Sequence, residues 1–151
     1  MNALICKIAT TPEELKDMFA LRIEVFVQEQ GVPPELELDE FDRSAIHIAL
    51  IHDGKVVGCG RIIMTSDHAH IGRVAVKKSY RNQGAGKQLM LAMIDKAKEK
   101  GASKIILHAQ IQVIPFYESL GFCGHGDLFL DAGIKHRELE MKLKPLGEKN
   151  D

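Results

Sequence analysis

The stretch Arg81-Asn82-Gln83-Gly84-Ala85-Gly86-Lys87 puts two glycines where a short apolar run, Val74–Val76, gives way to a helical pattern. Glycine inside a helix costs about 1 kcal/mol relative to alanine, so two at a helix start call for a reason. The first N–H groups of a helix have no partner within it, and the helix dipole adds partial positive charge there. Small side chains let an anion approach that backbone closely, and Arg81 and Lys87 bring further positive charge. A phosphate cradle is one reading; a tight turn that needs positive φ is the other. Two nucleotide motifs fail at single positions. A P-loop requires Ser or Thr after Gly86-Lys87, where Gln88 stands, and the dinucleotide fingerprint requires glycine where Leu89 stands.

Other chemistry-bearing residues point to less. His68 and His70 form an H-x-H pair on one face of a strand, but a metal site wants a third ligand and none is evident. Cys6, Cys59 and Cys123 are far apart, odd in number and without a C-x-x-C pair, which reads as reduced, mostly buried cysteines in a cytoplasmic protein. The start of the chain lacks a signal-peptide pattern, and no apolar run reaches the length of a membrane span. A net charge of −1 and the absence of tryptophan give no support to a nucleic-acid surface or a general attraction to anionic membranes.

The elements that must position these residues follow from periodicity. A chain of 151 residues, 45% hydrophobic and 27% charged, is expected to be one domain over residues 1–151 with one core. Leu4–Ala9 reads as a strand. Thr11, Pro12 and Glu14 form a capping-box start to a helix that ends at Gly31 and Pro33-Pro34, with Leu15, Phe19, Arg22 and Phe26 on one face. The acidic segment Glu35–Arg43 reads as a loop, mostly a solvated face, that with Arg22 could shape a pocket. Two strands meet at Asp53-Gly54, and His68–Val76 follows as a third. A buried helix runs from Gly84 to Lys100, then a strand to Ala109, a short helix around Pro115, and a last strand from His136 to Leu143. The tail from Pro145 is polar. This order predicts an α+β, or mixed α/β, sheet domain.

Arg81 to Gly86 resembles the Q/R-x-x-G-x-G/A signature of the GNAT superfamily of acyl-CoA N-acyltransferases, and Pro115–Phe122, "PFYESLGF", resembles its second hallmark, F-Y-x-x-x-G-F. The segment "LRIEVFVQEQGVP", with "GRVAV", Ala109-Gln110 and "GIKH", is similar to the ElaA-like or YjcF-like branch, over about Lys7 to Leu143. The residues His136-Arg137-Glu138-Leu139 depart from the branch in the spacing of the last strand.

The resemblance implies a mostly antiparallel sheet of six or seven strands flanked by about four helices, whose fourth and fifth strands splay. Acetyl-CoA or coenzyme A is the implied co-substrate. Its pantetheine arm would lie on Val74, Ala75 and Val76, and its pyrophosphate on Arg81, Asn82, Gln83, Gly84, Ala85, Gly86 and Lys87. Gln110, Phe116 and Tyr117 would complete that surface. The implied reaction is direct transfer of an acetyl group to a primary amine of a small molecule or peptide, in a ternary complex. The thiolate needs a proton, for which Tyr117 is the candidate. The amine must lose one, for which Glu29, His47, His108 and His136 are candidates, with Glu29 and His47 put first. A backbone N–H near Val74–Ala75 could hold the oxyanion. A second copy of the chain is an optional partner. Two other readings stay open: a non-catalytic acyl-CoA sensor on the same fold, and an acyl-homoserine-lactone-synthase-like activity suggested by "RIEVFV".

Overall fold

The computed structural model describes residues 3–144. The tail from Pro145 lies outside them. Seven strands form one sheet in the order β1-β2-β3-β4-β5-β7-β6. They are β1 (Ile5–Ile8), β2 (Ile46–His52), β3 (Lys55–Thr65), β4 (His68–Val76), β5 (Lys104–Gln110), β6 (Cys123–Asp131) and β7 (Ile134–Lys142). All neighbours are antiparallel except β4 and β5. The helices are α1 (Pro12–Arg22), α2 (Pro34–Glu37), α3 (Ala85–Glu99) and α4 (Ile114–Ser119).

Helix α1 starts as its sequence dictates. The Glu14 N–H donates to Thr11 Oγ1 (3.1 Å) and the Thr11 N–H to Glu14 Oε1 (3.2 Å), a reciprocal cap with Pro12 in the first turn. It does not continue as a plain α-helix to Gly31. From Ile23 to Glu29 the chain widens into a π-helix, a form that appears mostly as inserted turns near functional sites. The apolar face is offset from the expected one. Met18, Leu21 and Val25 are buried with Arg22, while Leu15, Phe19 and Phe26 pack at the edge.

The two faces of the sheet are covered differently. Under α1 lies a row of small residues, Ala49, Cys59 and Ala75, paired across β2, β3 and β4. Small side chains let the helix come close to the strands. Of the cysteines, Cys59 is buried as expected; Cys6 is half-buried and Cys123 exposed, a correction to the expectation that they are mostly buried. Helix α3 packs on the opposite face through Leu89, Met90, Met93 and Ala97. Gly60 makes room for it: a Cβ there would stand 2.5 Å from Met93 Sδ. Strand β6 was not legible in the sequence. Its glycines and polar residues, Cys123-Gly124-His125-Gly126-Asp127, hide the period of two, and it is an exposed edge.

The acidic segment is only in part a solvated face: Glu35 and Glu40 are exposed, but Glu37 is buried and Asp39 and Asp42 are half-buried. It folds into α2 and a 3-10 turn at Glu40–Arg43, pinned by three arginines from three distant elements. Arg22 Nε donates to Glu37 Oε1 (2.6 Å), and its Nη1 to Asp42 Oδ1 (2.8 Å). Arg61 grips Asp39 with two bonds (2.7 and 2.8 Å) and also reaches Asp42 (2.9 Å). Arg73 lies 3.2 Å from Glu37 Oε2 and from Asp39 Oδ2. Arg22 and Glu37 are 1% and 2% exposed, so their charges survive burial only because they are paired. The arginines hold the Asp42 carboxyl down at about 2, against the pull of desolvation.

Removing one member of a buried pair leaves the other charge uncompensated, which costs about 3–5 kcal/mol. Arg22→Met is therefore expected to lower unfolding free energy by that amount in urea titration. A loss below about 1 kcal/mol, the range of exposed pairs, would contradict the network's structural weight.

Candidate active site

The parallel pairing of β4 with β5 runs from His68↔Lys104 to Ile71↔Leu107 and stops there. Just beyond, Arg73 and Val74 of β4 lie opposite the single residue Gly60 of β3, a β-bulge in which Arg73 takes a φ of 49°. The bulge turns β4 away from β5. Its other edge stays paired to β3 as far as Gly58↔Val76, and the Lys77 N–H donates back to Val57 O (2.8 Å). By strand alternation the N–H groups of Val74 and Val76 then face the open edge, and that of Ala75 faces β3. Ala75 also buries its side chain under α1, so it offers nothing to the cleft.

The splay opens a cavity of about 450 Å³. Val74 and Val76 form one wall; Ala109 and Gln110 form the other. Phe116 and Tyr117 close it from α4, and Gly86 from the start of α3. Tyr117 is 9% exposed, set edge-on to Phe116 (5.1 Å) and Phe122 (5.9 Å). Burial pushes its phenol up to about 12, so it keeps its proton. Its hydroxyl has no hydrogen-bond partner among the described residues.

The two glycines differ. Gly84 caps α3 with a φ of 84°, which alone demands glycine, and its missing Cβ would meet nothing within 4 Å. Gly86 lies inside the helix. A Cβ there would sit 3.6 Å from Phe116 Cζ and 4.0 Å from Val76 Cγ2, ordinary contacts that any alanine tolerates. The packing gives no reason for this glycine, which lines the cleft. Around the turn, Asn82 also takes positive φ (62°), and Gln83 Nε2 donates to Ser79 O (3.0 Å). Ala85 is buried in the core and Lys87 is exposed.

Arg81 is not a free cation at the turn. Its Nε donates to Val76 O (2.8 Å), and its other two nitrogens hold Glu29 at 2.9 and 3.0 Å. It ties the end of β4 to the end of the π-helix. Glu29 is thereby spent on a two-point ion pair and does not line the cleft, which argues against a base role. His47 is likewise outside. It is buried on β2 against Phe19, with Nε2 bonded to Asp42 O (2.8 Å). Neither of the bases put first from sequence stands where an amine could meet it. Gln110 donates from Nε2 to Gln30 Oε1 (2.7 Å), bridging the cleft mouth from β5 to the π-helix end.

The remaining histidines do face the cleft. Leu107 and Leu139 point into the α3 core, so their neighbours His108, Glu138 and His136 occupy the opposite face of the sheet. His70, His108 and His136 all line the cavity on that side, with Arg73 and Glu37. Sequence reasoning placed Glu37 in a segment that could shape a pocket but missed its burial and its pairing with Arg73, which lies in another element.

Comparison with known proteins agrees with this geometry. A model of the acetyltransferase (GNAT) family matches residues 15–122. An uncharacterised N-acetyltransferase, YjcF of Bacillus subtilis, is 43% identical over 133 residues, covering 87% of this chain and 95% of its own. The crystal structure of Escherichia coli ElaA superposes with a TM-score of 0.83 at 25% identity, over 94% of this chain and 100% of that one. A GNAT family acetyltransferase from Elizabethkingia anophelis, solved with acetyl-CoA bound, shares the fold with a TM-score of 0.73 at 19% identity, covering 95% of this chain and 100% of that one. With the splayed parallel pair, the glycine turn and the family match over most of its length, this chain belongs to the GNAT family of acetyltransferases.

Proposed function

We propose that this protein moves the acetyl group of acetyl-CoA directly to a primary amine held in the same cleft. The observation that carries the reading is Gly86, a helical glycine that the protein's own packing does not require and that borders the cleft between Phe116 and Val76. The acetyl-CoA bound by the Elizabethkingia relative supports it. The N–H groups from Gln83 to Lys87 would receive the pyrophosphate, at the positive end of α3. The open edge of β4 would pair with the amides of the pantetheine arm through Val74 and Val76, as an added strand does. An N–H on that edge would also face the oxyanion of the tetrahedral intermediate.

Tyr117 would supply the proton for the departing thiolate. In water that transfer runs uphill, from a phenol near 10 to a thiolate whose acid is near 8.5. The apolar enclosure that raises the phenol also raises the proton affinity of a thiolate beside it, so burial does not widen the gap between them. The sheet's opposite face, with Arg73, Glu37 and the histidines, would take the acceptor amine.

Two variants test the reading. Gly86→Ala is expected to raise thermal stability by up to about 1 kcal/mol while weakening acetyl-CoA. Overpacking costs about 1–3 kcal/mol, roughly 5- to 150-fold in affinity by calorimetry. Gly84 is the poorer probe, because its φ strains any substitution and mixes folding with binding. Unchanged affinity in Gly86→Ala would remove the cradle. Tyr117→Phe is expected to lower kcat roughly 10²-fold or more with acetyl-CoA affinity nearly unchanged, measured by CoA release with an amine panel. Full turnover in that variant would end the acid role, and tight binding without turnover in the unaltered protein would favour a sensor.

A further inference from the structure

We propose that His136 is the base that takes the amine's proton, through Nε2. The role rests on the acetyl-transfer reading above. His136 lies on β7 opposite Gln110, the last residue of β5, and so stands where the sheet is open. It lines the same cavity as Tyr117 and Val74. Its Nδ1 is 2.7 Å from Ile134 O, a carbonyl that can only accept, so Nδ1 carries the hydrogen and the neutral ring keeps its lone pair on Nε2. Phe129 stacks on the ring at 5.8 Å and 23° between planes, which fixes the direction of that lone pair. Nε2 has no partner among the described residues, yet it is not sealed away, as His47 Nδ1 and Arg61 Nε are. An unpartnered acceptor of fixed direction, open to a cleft, is what proton abstraction requires.

His108 is the nearest competitor. Its Nε2 is 3.2 Å from Glu138 Oε1, and its side chain is 50% exposed. Solvent reaches it freely, and its orienting partner is itself a half-exposed carboxylate rather than a backbone carbonyl.

The step balances as follows in atoms and protons. The amine nitrogen bonds to the thioester carbonyl carbon, and the C–S bond breaks. The proton lost by nitrogen goes to His136 Nε2, and the sulphur takes one from the Tyr117 phenol. Solvent then removes the proton from the imidazolium and restores one to the phenolate.

His136→Asn keeps a short donor toward Ile134 O and deletes Nε2. It is expected to bind acetyl-CoA as the unaltered protein does and to lose roughly 10²-fold or more in kcat, with alkyl, aryl and peptide amines as acceptors. A kcat within a few-fold of the unaltered protein, or a loss in His108→Asn that His136→Asn does not share, would overturn the assignment. If the unaltered protein releases no CoA with any of these amines, the transferase reading itself fails, and the base with it. A second measurement needs no acceptor. Long-range proton–nitrogen spectra of imidazole-labelled protein at mildly alkaline pH should give His136 as the Nδ1–H tautomer. An Nε2–H tautomer would overturn the proposal.

Discussion

Past Ile71 and Leu107 the two parallel strands at the centre of the sheet exchange no further pairs, and the cleft of this molecule depends on that parting. A sheet would ordinarily zip to the end of its shorter strand. Here the bulge at Arg73 and Val74 adds a residue to β4 and bends it away. The bulge costs backbone strain, since Arg73 must hold a φ of 49°. Its side chain offsets that strain by bonding Glu37, Asp39 and the carbonyls of Leu36 and Glu37. The same carboxylates are gripped by Arg22 from α1 and Arg61 from β3. The network thus does two things at once. It fastens the acidic segment over the sheet, and it anchors the residue that opens the cleft.

The elements around the parting each take their place for a local reason. The small row Ala49, Cys59 and Ala75 brings α1 close on one face, and Gly60 brings α3 close on the other. Helix α3 therefore starts beside the open end of β4, where Gly84 turns the chain and Gly86 leaves a gap. Arg81 closes the corner by bonding both Val76 O and Glu29. Its charge is used for architecture, so Arg81 is not a free cation at the turn.

Much of this was legible in the sequence because it is written in local signals. The capping box of α1, the Asp53-Gly54 hairpin, the long apolar helix after Gly86 and the last strand each show in a window of a few residues. The family signatures added the splay and the ligand. What failed had partners far away. The acidic segment Glu35–Arg43 reads as solvated until Arg61 and Arg73 are seen to reach it, and Glu29 reads as a free base until Arg81 is seen to hold it. His47 alternates with apolar neighbours as an open-faced strand residue would, and only the packing of Phe19 shows it to be enclosed. Strand β6 lacks any apolar period and could be placed only by its pairing with β7.

The central claim is that one ligand spans the cleft from the glycine turn to Tyr117. A crystal structure of the protein with acetyl-CoA tests it most directly. The account predicts the pyrophosphate on the backbone N–H groups between Gln83 and Lys87, the pantetheine amides on Val74 and Val76, and the sulphur within hydrogen-bond reach of the Tyr117 hydroxyl. A ligand seated outside the splay, or a sulphur remote from Tyr117 with the pyrophosphate off the α3 start, would contradict it.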